Sequence, residues 1–223
     1  MAEPLEEMGA FFNDRAKNYN TAHLEYIGGI ESKHVIASFL PDNAEAIIDL
    51  GIGTGLELEA IFKRFPDINV TGLDLADNML KILRESYPDK NIELHCASYL
   101  DYDLGICRYD AALSVMTLHH YGYKEKAALY HRIYNCIKPG GLYIECDYML
   151  SLQEYANAQE MEDSYFSEFE RLKNEQGITD GTKYHYDTPC TVSNQTKMLL
   201  TSGFKDVKEV WRQGNTVILM ADK

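Results

Sequence analysis

Three glycines at alternate positions, Gly51, Gly53 and Gly55, follow the apolar run Ala46 to Leu50 and precede a helical stripe at Leu58, Ile61, Phe62 and Phe65. Such a turn admits positive φ, lets a ligand lie against bare backbone, and turns the free N–H groups of a helix start toward an anion. Asp49 stands just before the turn, and Asp74 ends the next apolar run, Asn69 to Asp74. A carboxylate at the end of that second strand can accept hydrogen bonds from both hydroxyls of a ribose. Met79 could offer a polarizable thioether to an aromatic base. A dinucleotide fingerprint needs a third glycine at G-x-G-x-x-G, and that position is Leu56. The turn therefore suits a nucleotide-like ligand other than a dinucleotide.

Further along, His119 and His120 are adjacent. Imidazole titrates at about 6.5, which suits a general base for a phenol, amine or imidazole acceptor. On an extended backbone the two rings would point to opposite sides, so that one faces the cleft and the other packs or caps. Imidazole and carboxylate are also metal donors, and His119, His120, Asp147 and His185 could converge. They show no helical i, i+4 spacing, and no metal is assigned.

The elements that must position these residues follow from periodicity. Met8, Phe11, Phe12, Arg15 and Tyr19 share one helical face. A second helix is expected from His23 to Leu40, stopped by Pro41. Strand-like runs at Ala46 to Leu50, Asn69 to Asp74, Ile92 to Cys96, Ala111 to Val115 and Gly141 to Tyr148 alternate with helical stripes. Those stripes include Asp77 to Tyr87, capped by Asp77, and Leu129 to Ile137, closed by Pro139-Gly140. The alternation implies right-handed crossovers and a parallel sheet covered on both faces. Phe204 to Trp211 and Thr216 to Ala221 are too close for a crossover and form an antiparallel hairpin. Met149 to Ser193 is too long for a loop and carries the stripe Met161, Tyr165, Phe169 and Leu172, so it reads as a helical cap before a final helix from about Ser193. The expected architecture is one α/β domain over 1–223, a doubly wound, seven-stranded, mostly parallel Rossmann-like sheet. Helical caps over 1–40 and 149–193 cover the crevice beyond the strand ends.

Four segments resemble, in order, the motifs of class I S-adenosylmethionine-dependent methyltransferases. They are Asp49-Leu-Gly-Ile-Gly-Thr-Gly, Gly72-Leu-Asp-Leu-Ala-Asp-Asn-Met-Leu, Tyr109-Asp-Ala-Ala-Leu-Ser-Val-Met-Thr-Leu-His-His, and Ile137-Lys-Pro-Gly-Gly-Leu. The resemblance implies S-adenosylmethionine as cofactor. It places Gly51, Gly53 and Gly55 against its backbone, Asp74 on the ribose, and Leu75 and Met79 at the adenine. Asp49 either orients the turn or meets the methionine ammonium. The aspartate common after the third strand is replaced by Ala97, so Ser98 or Asp101 must serve the adenine amino group, and Tyr99 and Ser114 complete the candidates. The opening helix, similar to that of small-molecule methyltransferases, brings Tyr19 and Arg15 to the methionine end, where Arg15 could bind the carboxylate. The acceptor pocket then lies at His119 and His120, with Tyr148, His185 and Tyr186 as substrate-binding candidates.

The 223 residues are 45% hydrophobic and include sixteen tyrosines, several of them in the cap, an amphipathic lining for a small organic acceptor. A net charge of −14 disfavours nucleic acid as partner, because such binding rests on basic side chains releasing counterions. Five cysteines without a C-x-x-C pair, an acidic start and the lack of a long apolar run point to a cytoplasmic protein without a membrane segment. The oligomeric state is left open, a homodimer being one candidate. Methyl transfer to an oxygen, nitrogen or carbon of a small molecule is the expected activity. The alternatives are a non-catalytic S-adenosylmethionine-binding regulator and a nicotinamide-dependent oxidoreductase, the latter opposed by Leu56.

Overall fold

Strands and helices alternate through the first two thirds of the chain in a computed structural model, which describes residues 4–23, 29–151, 153 and 155–223. The order is α1 (Met8–His23), α2 (Gly29–Phe39), β1 (Ala46–Leu50), α3 (Leu58–Arg64), β2 (Asn69–Asp74), α4 (Asp77–Ser86), β3 (Ile92–Cys96), β4 (Tyr109–Val115), α5 (Tyr123–Cys136), β5 (Ile137–Tyr148), α6 (Ala158–Glu175), α7 (Val192–Thr201), β6 (Asp206–Gln213) and β7 (Thr216–Asp222). One seven-stranded sheet runs β3-β2-β1-β4-β5-β7-β6. The first five strands are mutually parallel, and β7 is antiparallel to both β5 and β6. The fold class expected from the alternation is thus observed.

Neighbouring residues of a strand face opposite sides, and β1 shows what that does. Ile48 and Leu50 join the core over which α5 and α7 lie, through Leu129, Tyr130, Ile133 and Leu199. Ile47 joins the opposite core with Ile36, Leu58, Ile61, Leu80 and Leu83 of α2, α3 and α4. A strand buried on both faces is mostly apolar, which is why four of the five residues of β1 are apolar, Asp49 being the exception. Truncating Ile47 to alanine would cost about 2–5 kcal/mol. Among the described helices none is long and apolar enough to cross a membrane.

Four details differ from the expectations. Asp77 does not cap α4; it is the helix's first residue and pairs with Lys81. The Ala76 N–H donates instead to Asp74 Oδ1 at 2.8 Å. Helix α5 ends at Cys136, and Pro139-Gly140 lies inside β5, where the pairing with β4 slips between Tyr109 and Ala111. A glycine at φ +80° absorbs that irregularity without a steric penalty. The hairpin narrows to the two residues Gly214 and Asn215 between β6 and β7. His23 closes α1 rather than opening α2, and residues 24–28 of the expected second helix lie outside the described residues.

Helix α6 is the element within the long insertion. The wholly buried Glu162 docks it, accepting from the Thr191 N–H at 2.9 Å, from Asn194 Nδ2 at 2.9 Å and from the Tyr123 hydroxyl. The extended strap between α6 and α7 returns across α1, with Met8 N donating to Lys183 O at 2.8 Å and His185 N to Glu6 O at 2.9 Å. The N-terminal helix and the strap are thereby tied over the same end of the sheet.

Candidate functional site

A cleft of about 440 Å³, counting its open mouth, lies beyond the carboxyl ends of β1, β2 and β4. This is where doubly wound sheets bind ligands. The strand ends supply Gly51, Gly53, Asp74, Leu75 and Thr117, while α4 supplies Met79. Met8, Phe12 and Tyr19 of α1 close the other side. Gly51 has φ +78° and a Cβ there would stand 2.4 Å from Thr117 Oγ1, so only glycine fits. Gly53, at φ +53°, would carry its Cβ into open space near Tyr19, the bare backbone that a ligand can approach. Gly55 stands away from the cleft against Leu58 and Leu83.

Asp74 is held by the chain itself. Its Oδ2 accepts from the Gly53 N–H at 2.8 Å while Oδ1 accepts from Ala76 N. Burial pushes its carboxyl up, and these backbone donors oppose the shift. The carboxylate therefore joins the glycine turn to the end of β2 at the cleft wall. Asp49 is the opposite case: it is wholly buried, and neither of its oxygens has a hydrogen-bond partner. Burial, and then the neighbouring carboxyl of Glu57, push its pKa well above the usual carboxylate range. Glu57 Oε1 is likewise buried and unpartnered. The Lys33 ammonium opposes the upward shift that burial gives Glu57, and an acidic pair beside a glycine cradle favours a further cation. The residues present thus fit S-adenosylmethionine: an acidic pair for an ammonium, a carboxylate at the ribose position, and apolar Leu75 and Met79 for a base.

Not every expected cofactor contact reaches the cleft. Arg15 shares the α1 face, but Glu6, two residues before the helix, captures its guanidinium at 2.9 Å and Phe11 stacks beneath it at 3.7 Å. Ser98 caps its own turn by accepting from Leu100 N at 3.2 Å. Ser114 is buried inside the sheet and shares a 2.6 Å hydrogen bond with Tyr143. Tyr99 does line the cleft, its hydroxyl 2.8 Å from Thr117 Oγ1. Met8, Phe12, Met116, Thr117 and Tyr121 also line it without having been singled out as ligand residues. Only the apolar stripe of α1 hinted at the first two.

The histidine pair lies in a 3₁₀ turn, Leu118–His120, rather than on an extended segment. Both rings are consequently buried on one side, their centroids 4.0 Å apart, instead of diverging. Asp147, at the end of β5, organises the turn. Its Oδ2 accepts from the backbone N–H groups of Leu118 (2.8 Å) and His119 (3.1 Å), and its Oδ1 lies 2.5 Å from His119 Nδ1. Burial alone would lower the His119 pKa, but the Asp147 carboxylate overrides it and the net shift is upward. His120, buried beside His119, falls to about 4. Asp187 in the strap faces both rings and is held at about 2. It directly follows the substrate-binding candidates His185 and Tyr186 in the sequence.

His185 stacks on Phe11 with centroids 3.5 Å apart and lies 4.7 Å from the His120 ring. The Tyr148 ring is 6.2 Å from His119. His119, His120, His185 and Tyr148 are thus neighbours, and Phe12, 5.9 Å from His120, joins them to the cofactor cleft. Tyr186 turns outward, stacked on Phe169 at 5.1 Å beside a groove on α6.

Residues 47–141 match the family described as methyltransferase domain. Carboxy-S-adenosyl-L-methionine synthase of Nautilia profundicola is 23% identical over 198 residues, covering 85% of this chain and 81% of that protein. Malonyl-[acyl-carrier protein] O-methyltransferase of Acetivibrio thermocellus is 31% identical over 71 residues, 32% of this chain and 25% of that one. Human N-acetylserotonin methyltransferase in complex with SAM superposes with a TM-score of 0.67 at 15% identity, covering 95% of this chain and 56% of its own. An O-methyltransferase family protein from Burkholderia thailandensis gives 0.64 at 16% identity, with 96% and 58% covered. The chain thus spans less than two thirds of either structural neighbour, and these likenesses bear on the fold.

Proposed function

We propose that the chain is a class I S-adenosylmethionine-dependent methyltransferase that methylates a small-molecule acceptor held between the cofactor cleft and the His119–His120 turn. The observation that carries the proposal is the cleft itself, lined by Gly51, Gly53, Asp74, Leu75 and Met79, with the buried carboxyl of Asp49 just before the glycine turn. Asp49 would take the methionine ammonium, Asp74 the ribose hydroxyls, and Leu75 with Met79 the adenine.

S-adenosylmethionine supplies a methyl group already activated on a sulfonium. What the chain must add is alignment and a dry site, and correct placement is worth up to about 7–11 kcal/mol of a bimolecular barrier. Helix α1 lines one side of the cleft, and its ties to the strap hold it there. Phe12 and Tyr19 on one side, with Tyr121 on the other, form an apolar wall that orients a flat acceptor. His119 and His120, with His185 and Tyr148 nearby, supply its polar contacts.

A second reading comes from the relatives named carboxy-S-adenosyl-L-methionine synthases, which cover most of the chain. A carboxylated cofactor adds an anion, which calls for a cation at the reacting end. Among the described residues lining the cleft none is basic, Lys33 in the adjoining hollow faces Glu57, and Arg15 is committed to Glu6, so methyl transfer is favoured. Calorimetry with S-adenosylmethionine and S-adenosylhomocysteine, followed by a metabolite panel scored for S-adenosylhomocysteine, tests the proposal. Binding without turnover on any acceptor would favour a regulator, and a carboxylated cofactor product would favour the second reading.

A further inference from the structure

One cluster outside the cofactor cleft gathers donor atoms from separate segments. His119 and His120 come from the turn after β4, Asp187 comes from the strap, and one ligand atom of each lies within 4.8 Å of the other two. His119 Nε2 and His120 Nδ1 are 3.6 and 3.2 Å from the same Asp187 Oδ1. Donors bound to one ion at about 2.0–2.1 Å, subtending angles near 90–110°, stand roughly 2.9–3.4 Å apart. The two pairs are at that spacing or within a few tenths of an ångström of it. A hydrogen bond does not account for the longer pair, since 3.6 Å is beyond its range.

The other nitrogen of His119 is already fixed. Nδ1 meets Asp147 Oδ1, and Asp147 is in turn held by the backbone N–H groups of Leu118, His119 and Tyr148. A carboxylate behind an imidazole is the arrangement that sets ring plane and tautomer in a metal ligand, leaving Nε2 to coordinate. Both rings are buried, whereas the Asp187 side chain is 47% exposed, so the cluster opens to solvent on the carboxylate side.

We propose that His119, His120 and Asp187 bind one divalent transition-metal ion, with Asp147 as a positioning residue behind His119. Two imidazoles and one carboxylate suit Zn²⁺, Fe²⁺ or Co²⁺ better than Mg²⁺ or Ca²⁺, which prefer all-oxygen sites. Three protein donors leave a position for an outside oxygen. That this oxygen belongs to the acceptor rests on the methyl-transfer reading above, whereas binding of the ion does not.

The test is a titration of the chelator-stripped full chain with Co²⁺, followed by visible absorption and calorimetry in the absence of S-adenosylmethionine. The expected result is one ion per chain with a ligand-field spectrum. Affinity should fall at least about tenfold in Asp187→Asn and in His120→Ala, and about 10- to 100-fold in Asp147→Asn. Circular dichroism verifies folding, and the half-exposed Asp187 is the substitution least able to disturb it. A folded wild type that shows no Co²⁺ spectrum at about hundredfold excess would overturn the proposal, as would unchanged affinity in folded Asp187→Asn. A parallel S-adenosylmethionine titration of the stripped protein separates the two readings: its failure alongside Co²⁺ binding removes only the methyl-transfer reading.

Discussion

Asp49→Asn should make the ligand-free protein more stable and the cofactor weaker to bind. Both carboxyl oxygens of Asp49 are buried without a partner, and Glu57 adjoins them. Leaving one buried polar group unsatisfied costs about 1–3 kcal/mol. An asparagine of the same shape removes the carboxyl–carboxyl conflict, and its NH₂ can donate to Glu57. For a domain of this length the thermal midpoint then rises by roughly 2–4 °C per kcal/mol recovered. The same change deletes the charged acceptor for the methionine ammonium, a bond worth about 1.5–3 kcal/mol, so the Kd for S-adenosylmethionine should weaken by roughly 10- to 150-fold. Because burial raises the Asp49 pKa in the folded chain, an ammonium that favours the ionised form should drive proton release, and wild-type affinity should fall as pH is lowered. Differential scanning calorimetry without ligand gives the first quantity, and titration calorimetry in buffers of different ionisation enthalpy gives the others. A variant less stable than wild type without ligand, or one that binds S-adenosylmethionine equally well, would refute the assignment of Asp49 as a carboxyl awaiting a cation.

Arg15→Ala should change S-adenosylmethionine affinity by no more than about twofold, since the half-exposed Arg15–Glu6 pair lies outside the cleft and such pairs contribute about 0–1 kcal/mol; calorimetry reads it. His119→Ala and His120→Ala should keep cofactor affinity while lowering turnover at saturation by about 10²-fold or more in at least one of them, measured as S-adenosylhomocysteine formed once an acceptor is found. Burial pushes the Glu145 carboxyl up to about 7, so its contribution to stability is complete below the unfolded pKa near 4.5 and is lost as pH rises toward 7. Glu145→Gln, which keeps an acceptor for the Tyr130 hydroxyl, should flatten that fall of a few kcal/mol in urea-unfolding curves collected from about pH 4.5 to 8.

What the sequence displayed best was what local chemistry dictates. The alternation of strands and helices, the glycine turn and the position of Asp74 at a strand end all follow from periodicity and breakers, which a single chain carries in full. The histidine pair was visible as residues, but its geometry depends on whether residues 118–120 are extended. The 3₁₀ turn arises because Asp147, 28 residues further on, binds two successive backbone N–H groups. Arg15 and Ser114 show the same limit, since Glu6 and Tyr143 decide where their polar atoms go. Asp187 follows the candidates His185 and Tyr186, but that it faces both histidines depends on the strap crossing α1, a consequence of tertiary folding.

The central claim is methyl transfer from S-adenosylmethionine to a small molecule, and methyl-labelled S-adenosylmethionine tests it most directly. The protein is incubated with the labelled cofactor and a fractionated metabolite extract, and the products are resolved by mass. The predicted result is label on a low-molecular-weight product with S-adenosylhomocysteine formed in equal amount. Cofactor bound at 1:1 but unconsumed across all fractions, label confined to macromolecules, or a cofactor gaining the mass of a carboxylate would contradict it.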